Sequence, residues 1–399
     1  MTDTLATFDV AAVGGGPAGL AAAIAVAQAG ASTVLVARHA PYADNRTTAL
    51  LGGTVDFLDD LGVWQGCRDK AAALKTMRLV DDTDRLIRAP EVRFTAGEIG
   101  RDVFGYNIEN RRLVGALEQR ATACPNLMRI AEDAEAVVAG PQSVTVTTTS
   151  GQSITARLVV GADGRRSLCR EAAGIAVSRR DLGQTALTFN ITHARPHHNA
   201  STEFHTAHGP CVFVPLPGDR CSVVWVAASK DAERMFALDD EALSAAVEKQ
   251  SHSIFGRVHV EPGRHMFPLA IERPHRYADR RIALVGEAAH VVPPVGAQGL
   301  NLGLRDAMDI AASVATAKAA GEDPGAAQLL SRYGAARRAD ILSRTFAIDV
   351  ANRSLLSDFL PMQSLRAAGM HLIGSIGPLR RLAMREGLAP SWRTTRNPS

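Results

Sequence analysis

Two stretches combine residue types and spacings that can do chemistry. The first is FDVAAVGGGPAGLAAAIAVAQAGASTVLVAR, where Gly14-x-Gly16-x-x-Gly19 follows an apolar run. In a dinucleotide-binding turn, Gly14 would permit the sharp bend and Gly16 would let backbone N–H groups reach a pyrophosphate. Gly19 would let helix and strand approach each other. The second is ALVGEAAHVVPPVGAQGLNLGLRDA, from Ala283 to Ala307. It sets one acid, Glu287, at the end of an apolar run, followed by His290, Pro293, Pro294, Gly296 and Gly299. Acids at the carboxyl ends of strands in α/β sheets face ligands. A histidine such as His290 is a residue type that can transfer protons, although a lone histidine beside a strand end is more often structural.

These residues need elements to hold them. Phe8 to Val13 reads as a buried strand, and a helix runs from the glycines to about Gln28. Gly30 closes that helix, and Ser32 to Val36 reads as a second strand. The uncharged span from Val10 to Ala37 is long enough to imitate a membrane crossing. Gly14, Gly15, Gly16 and Pro17 would interrupt such a helix, so strand, turn, helix and strand is the better reading. Where a ribose-binding acid would normally end the second strand, the sequence has Ala37-Arg38. Arg38 could meet the 2′-phosphate of NADP, or the ligand could be FAD with its ribose held elsewhere. The fingerprint alone leaves both open. Farther on, Leu158 to Val160 and Arg281 to Val285 read as short buried strands, Ser167 as a helix N-cap, and a helix starts near Leu300.

The chain has 399 residues, 46% apolar and 21% charged, and a formal net charge of +3. That composition is globular, and the charge is too weak to argue for nucleic acid. Five widely spaced cysteines form no CxxC pair and suggest free thiols without a metal site. The opening MTDTLATFD has no secretory pattern. Cytoplasmic placement is therefore expected.

A third motif, Gly161-x-Asp163-Gly164-x-x-Ser167-x-x-Arg170, resembles the DG motif of flavoprotein aromatic hydroxylases. The Glu287 stretch resembles their Gly-Asp-x-x-His motif. With the amino-terminal fingerprint, the three in this order resemble FAD monooxygenases of the p-hydroxybenzoate hydroxylase fold. DNRTTALLGGTVDFLDDLGVW, FGYNIENRRLVGAL, GPCVFVPLPGDRCSVVW and YGAARRAD are similar to the ubiquinone-biosynthesis hydroxylases of that fold. Similarity runs from about residue 8 to 390.

The resemblance implies an α/β fold: a Rossmann-like FAD-binding domain, an inserted and mostly antiparallel β-sheet substrate domain, and a helical C-terminus. The expected boundaries are 1–72, 105–180 and 275–350 for the flavin domain, 73–104 and 181–274 for the substrate domain, and 351–399 for the helical end. The implied FAD contacts in the first half are Gly14, Gly16, Gly19, Arg38 near the adenosine, Arg46 and Asp163. Those at the late joint are Glu287, Pro293, Gly299, Leu300 and Asn301. There the family usually has Asp at position 287 and more often Gly at 297. Phe213 and Trp225 either line the substrate pocket or are ordinary core aromatics.

The implied activity is hydroxylation of a hydrophobic phenol, a polyprenyl ubiquinone precursor, through a flavin C4a-hydroperoxide. NAD(P)H would be the reductant and O₂ the co-substrate. No residue stands out as a catalytic base. A prenyl reductase or other flavin oxidoreductase of the same fold, or a non-catalytic scaffold among quinone-biosynthesis proteins, are the alternatives. The segment Leu365, Ala368, Gly369, Leu372, Ile373 and Ile376 has helical spacing beside Arg366, Arg380, Arg381 and Arg385. It either packs on its own domain or touches the inner face of an anionic membrane.

Overall fold

The computed structural model describes residues 7–39, 45–83, 88–294, 296–356 and 376–388. The run of uncharged residues from Val10 to Ala37 folds as strand β1 (Phe8–Val13), helix α1 (Pro17–Gln28) and strand β2 (Thr33–Val36). Every residue of α1 from Ala18 to Ala27 is buried. Its alanines let it lie between the sheet and two other helices without excess volume, while Leu20 and Ile24 fill the remaining space. Each such large side chain taken from water contributes roughly 1.5–3 kcal/mol.

Among the described residues there are three sheets. The remaining strands in chain order are β3 (Thr47–Leu51), β4 (Ala71–Leu74), β5 (Thr76–Asp81), β6 (Val92–Thr95), β7 (Gly105–Glu109), β8 (Leu127–Ile130), β9 (Ala134–Ala139), β10 (Val144–Thr148), β11 (Ser153–Gly161), β12 (Val177–His193), β13 (Ala200–Thr206), β14 (Gly209–Leu216), β15 (Arg220–Ala228), β16 (Val258–Val260), β17 (His265–Pro274), β18 (Ala278–Asp279) and β19 (Ile282–Leu284). The first sheet has the order β18-β19-β11-β1-β2-β8, with β10 and β9 added beside the start of β11. Its central strands β19, β11, β1, β2 and β8 are parallel. The second sheet has the order β16-β12-β15-β14-β13-β5-β6, with β17 also on β12. It is antiparallel except where β13 meets β5. Strands β3, β7 and β4 form the third. The fold is thus α/β, with a parallel sheet, a mostly antiparallel one and carboxyl-terminal helices.

After α1 the α-helices among the described residues are α2 (Gly52–Asp60), α3 (Asn110–Thr122), α4 (Leu168–Ala172), α5 (Ser229–Phe236), α6 (Asp240–Gln250), α7 (Gln298–Ala319), α8 (Ala327–Leu356) and α9 (Gly377–Leu388). The second sheet alternates sharply. Leu187, Phe189, Ile191, Phe213, Cys221 and Val223 pack with Leu243 and Val247 of α6 in a core of their own. The opposite face of that sheet turns toward the parallel sheet. Of the apolar carboxyl-terminal positions, Leu365 to Ile373 lie outside the described residues. Ile376 is exposed, and α9 docks through Met384 and an Arg380–Glu98 ion pair.

Helix α7 is held from behind by buried charge. Asp306 is fully buried and accepts from Gly286 N (2.9 Å), His290 Nε2 (2.8 Å) and Arg337 Nε (2.5 Å). Arg337, 1% exposed, also bonds Asp309 and Asp340. Burial alone would raise the Asp306 carboxyl, but Arg337 and His290 outweigh it and hold it below its ordinary value. The stabilisation it supplies is complete above the ordinary value of 3.8 and fades as acid lowers pH through the depressed folded value. Arg337→Met would take the arginine from the fully buried Asp306 and leave it with His290, while Asp340 keeps Arg305 and Arg344. A loss of about 3–5 kcal/mol in urea unfolding is expected, against little change for a substitution at exposed Arg385.

Candidate functional site

The chain turns back on itself after β1. Gly14 has φ +117°, and a Cβ there would lie 2.2 Å from Ala162 O. A Cβ on Gly19 would lie 2.1 Å from Gly14 O, so α1 can approach the turn only with glycine at both positions. Gly16 differs. Its backbone is extended, it is the N-cap of α1, and a Cβ on it would meet nothing within 4 Å. No side chain caps α1, and Pro17 occupies its first turn. The free N–H groups of Ala18 and Gly19 therefore face open space at the positive end of the helix.

Two clefts meet at this turn. One, of about 520 Å³, is lined by Gly14, Ala37, Arg38, Glu118, Asp133 and Asp163 among others. The other, of about 440 Å³, runs between the two large sheets past Arg46, Glu287, Pro294, Gly299 and Leu300. Gly16, Ala162 and Gly164 belong to both. An extended ligand can lie across them with its anionic middle at Gly16. The openness at Gly16, Gly164 and Gly299, where an added Cβ meets nothing within 4 Å, suits a dinucleotide flavin.

Each expected contact has a definite place. Arg38 lines the first cleft and pairs with Asp133 at 3.5 Å. Arg46 lines the second, with its guanidinium 4.9 Å from the centre of the Phe267 ring. Asp163 borders the first cleft but turns both oxygens inward, accepting from Ser167 Oγ (2.6 Å) and Cys169 N (3.0 Å). Ser167 is the N-cap of α4, as its sequence position predicts. Arg170 ties this loop to the late joint by donating to Ala288 O (3.2 Å) and Arg165 O (2.7 Å).

At the late joint β19 ends one residue before Val285, and Glu287 sits in a single 3₁₀ turn, Gly286–Ala288. Its carboxylate is exposed in the cleft and bonds no described residue. Pro293 is buried, while Pro294 reaches the lining. Helix α7 starts at Gln298, two residues before the expected position, because Ala297 takes a left-handed N-cap conformation at φ 54°. No side chain caps it, so Gly299 and Leu300 present free N–H groups beside the cleft.

Asn301 does not turn toward the cleft. Its Oδ1 accepts from Leu51 N (3.0 Å) and Thr54 Oγ1 (2.7 Å), and its Nδ2 donates to Ala49 O (2.8 Å) and Ala297 O (2.6 Å). It is a clamp between α7 and β3. His290 is 2% exposed and spends its Nε2 on Asp306, which is the structural role expected of most lone histidines.

Phe213 and Trp225 are not brought to the cleft. Both lie on the α6 side of the second sheet, where Phe213 stacks near Phe204 and Phe255. Pairing on a period of two gives the cleft Ser222 and Val224 from β15 instead. Sequence reading also passed over Glu118 and Asp133, the acids that border the first cleft, where position 37 supplies none. Glu118 is held there by Arg129 at 2.9 Å. No local signal marks them, because they arrive from α3 and the segment before β9.

Comparison with known proteins agrees with this geometry. A model of the FAD binding domain family matches residues 7–344. The chain is 35% identical over 387 residues to ubiquinone hydroxylase UbiL of Rhodospirillum rubrum, covering 95% of this chain and 89% of that protein. It is 28% identical to the 3-demethoxyubiquinol 3-hydroxylase of Escherichia coli, covering 95% and 98%. In fold it is similar to p-nitrophenol 4-monooxygenase PnpA of Pseudomonas putida, with a TM-score of 0.79, 19% identity, and coverage of 96% and 99%.

Gly16→Val places carbon where the cradle is empty of protein. The thermal midpoint of the flavin-free protein should stay within a few degrees of wild type, while copurifying flavin absorbance disappears; retained yellow colour would refute the cradle. Ala297→Gly removes a left-handed non-glycine residue and should raise unfolding stability by about 1 kcal/mol, read from the urea midpoint.

Proposed function

Because the chain belongs to the FAD binding domain family, we propose that it is an FAD-dependent monooxygenase that hydroxylates a hydrophobic phenol, a polyprenyl precursor in ubiquinone biosynthesis. One observation carries this reading: a cleft lined by backbone and glycine at its phosphate side opens directly into an apolar chamber between the sheets. Relatives named as ubiquinone hydroxylases along nearly the whole chain support the substrate class.

Gly14, Gly16 and Gly19 would hold the diphosphate, with Arg38, Glu118 and Asp133 around the adenosine. Arg46, Glu287, Gly299 and Leu300 would border the ring system. When bound, FAD supplies the redox chemistry, taking electrons from NAD(P)H and activating O₂. The chain supplies the setting. The N–H groups at the start of α7 favour negative charge at the ring's rim by ~0.3–2 kcal/mol. Val224, Phe267 and Leu269 keep the substrate side apolar, which limits water at the reacting carbon. Glu287 offers an acceptor to hydroxyl groups of the cofactor's sugar-alcohol chain.

The same reading includes a peripheral contact with a membrane, where a polyprenyl tail would reside, and with other quinone-biosynthesis proteins. On α9, Leu382 is exposed together with Arg381 and Arg385, and Ile376 just precedes it, an arrangement that suits an anionic lipid surface. No helix among the described residues is long and apolar enough to cross a membrane.

Incubation of the holoenzyme with NADPH, a short-chain prenyl phenol and ¹⁸O₂ tests the activity. One ¹⁸O atom should appear in the hydroxylated product by mass spectrometry. Saturation of a prenyl double bond without label would make the enzyme a reductase instead.

A further inference from the structure

The roof of the cleft carries polar atoms without partners. Asn190 and Thr188 lie two residues apart on β12, on the face opposite Leu187, Phe189 and Ile191, and both line the cleft. Asn190 is 1% exposed, and neither its Oδ1 nor its Nδ2 has a hydrogen-bond partner among the described residues. The buried Thr188 Oγ1 has none either. Two neighbouring polar pairs at the cleft are satisfied. Ser222, which pairs in register with Asn190, accepts from Thr47 Oγ1 (2.7 Å), and Thr48 donates to Asn110 (2.6 Å). Lone polar groups in an apolar wall cost stability unless something meets them.

We propose that Thr188 and Asn190 are specificity-determining residues that select an aromatic ring bearing at least two oxygen substituents; this rests on the hydroxylase reading above. The count follows from the atoms left over. One phenol hydroxyl can donate to Asn190 Oδ1 and accept from its Nδ2. Thr188 stands about 7 Å farther along the strand, and side chains on one face of a strand rise roughly parallel. With hydrogen bonds near 3 Å, a single oxygen does not serve both positions. A second oxygen on the same ring does. The walls contributed by Val224, Phe267 and Leu269 accept the ring's apolar surface.

The test uses the FAD-loaded protein and the absorbance change of its flavin on titration with 2-hexylphenol and with its 4-, 5- and 6-methoxy counterparts. At least one methoxyphenol should bind roughly tenfold more tightly than the parent, one hydrogen bond's discrimination. Thr188→Val and Asn190→Leu should each erase most of that preference while flavin content is kept and the thermal midpoint is unchanged or raised. That combination separates recognition from a structural role, which would lower the midpoint and leave the preference intact. Four ligands of equal affinity, or a preference surviving in both variants, would overturn the proposal. If no phenol perturbs the wild-type flavin, the hydroxylase reading itself falls. If 2-hexylphenol binds but the methoxyl groups gain nothing, only the two-oxygen inference falls.

Discussion

Asp306 ties together the segments on which the cleft depends. Its two carboxylate oxygens take Gly286 N from the late joint, His290 from the loop after it, and Arg337 from α8, while Asp306 itself rides on α7. A binding wall made of backbone cannot hold itself with side chains on the ligand side, because those would fill the space the ligand needs. Its rigidity has to come from the other side. Burying the charges is costly, and the cost is offset only if every carboxylate keeps its cation. The network therefore behaves as a unit, and α8 supports the site although none of its described side chains lines the cleft.

A second set of clamps fixes the open side. Asn301 joins α7 to β3 and α2, Arg170 joins the Asp163 loop to Ala288, and Ser222 joins β15 to Thr47 of β3. Each clamp reaches between segments far apart in the chain, and each uses side-chain atoms on backbone or on another side chain. The cleft thus lies between two sheets tied through β3 and α7 by side-chain hydrogen bonds. The apolar chamber adds little orientation of its own, since burial of apolar surface is non-directional.

Local rules carried the sequence reading where the structure is local. Strand Phe8–Val13, the end of α1 at Gln28 and the Ser167 cap all follow from periodicity and from glycine, serine or proline at fixed offsets. Helix α7 starts two residues before the expected Leu300 because Ala297 adopts a conformation that side-chain preference assigns to glycine. Phe213 and Trp225 show another limit. Alternation in β14 and β15 tells that two faces exist, but not which face meets the cleft, since that depends on where α6 docks. Glu118, Asp133 and the pairing of Asp306 with Arg337 left no local trace, because their partners arrive from distant segments.

Three positions depart from the pattern that the motifs otherwise follow, and the structure gives them a common logic. Ala37 follows β2 without an acid, yet Glu118 and Asp133 stand at the same cleft, so carboxylates reach it from neighbouring elements. Glu287 is one methylene longer than Asp, but it sits in a tight turn with its carboxylate in the open, where length is absorbed by side-chain rotation without moving the backbone. Ala297 keeps the left-handed course of a glycine at a cost of about 1 kcal/mol, and the Asn301 amide bonded to its carbonyl holds it there. In each case the backbone path around the cleft is retained and a side chain or a neighbour adjusts. A site built from amides and glycine spaces would be read through the course of the chain, so a side-chain change is tolerated where something else secures that course.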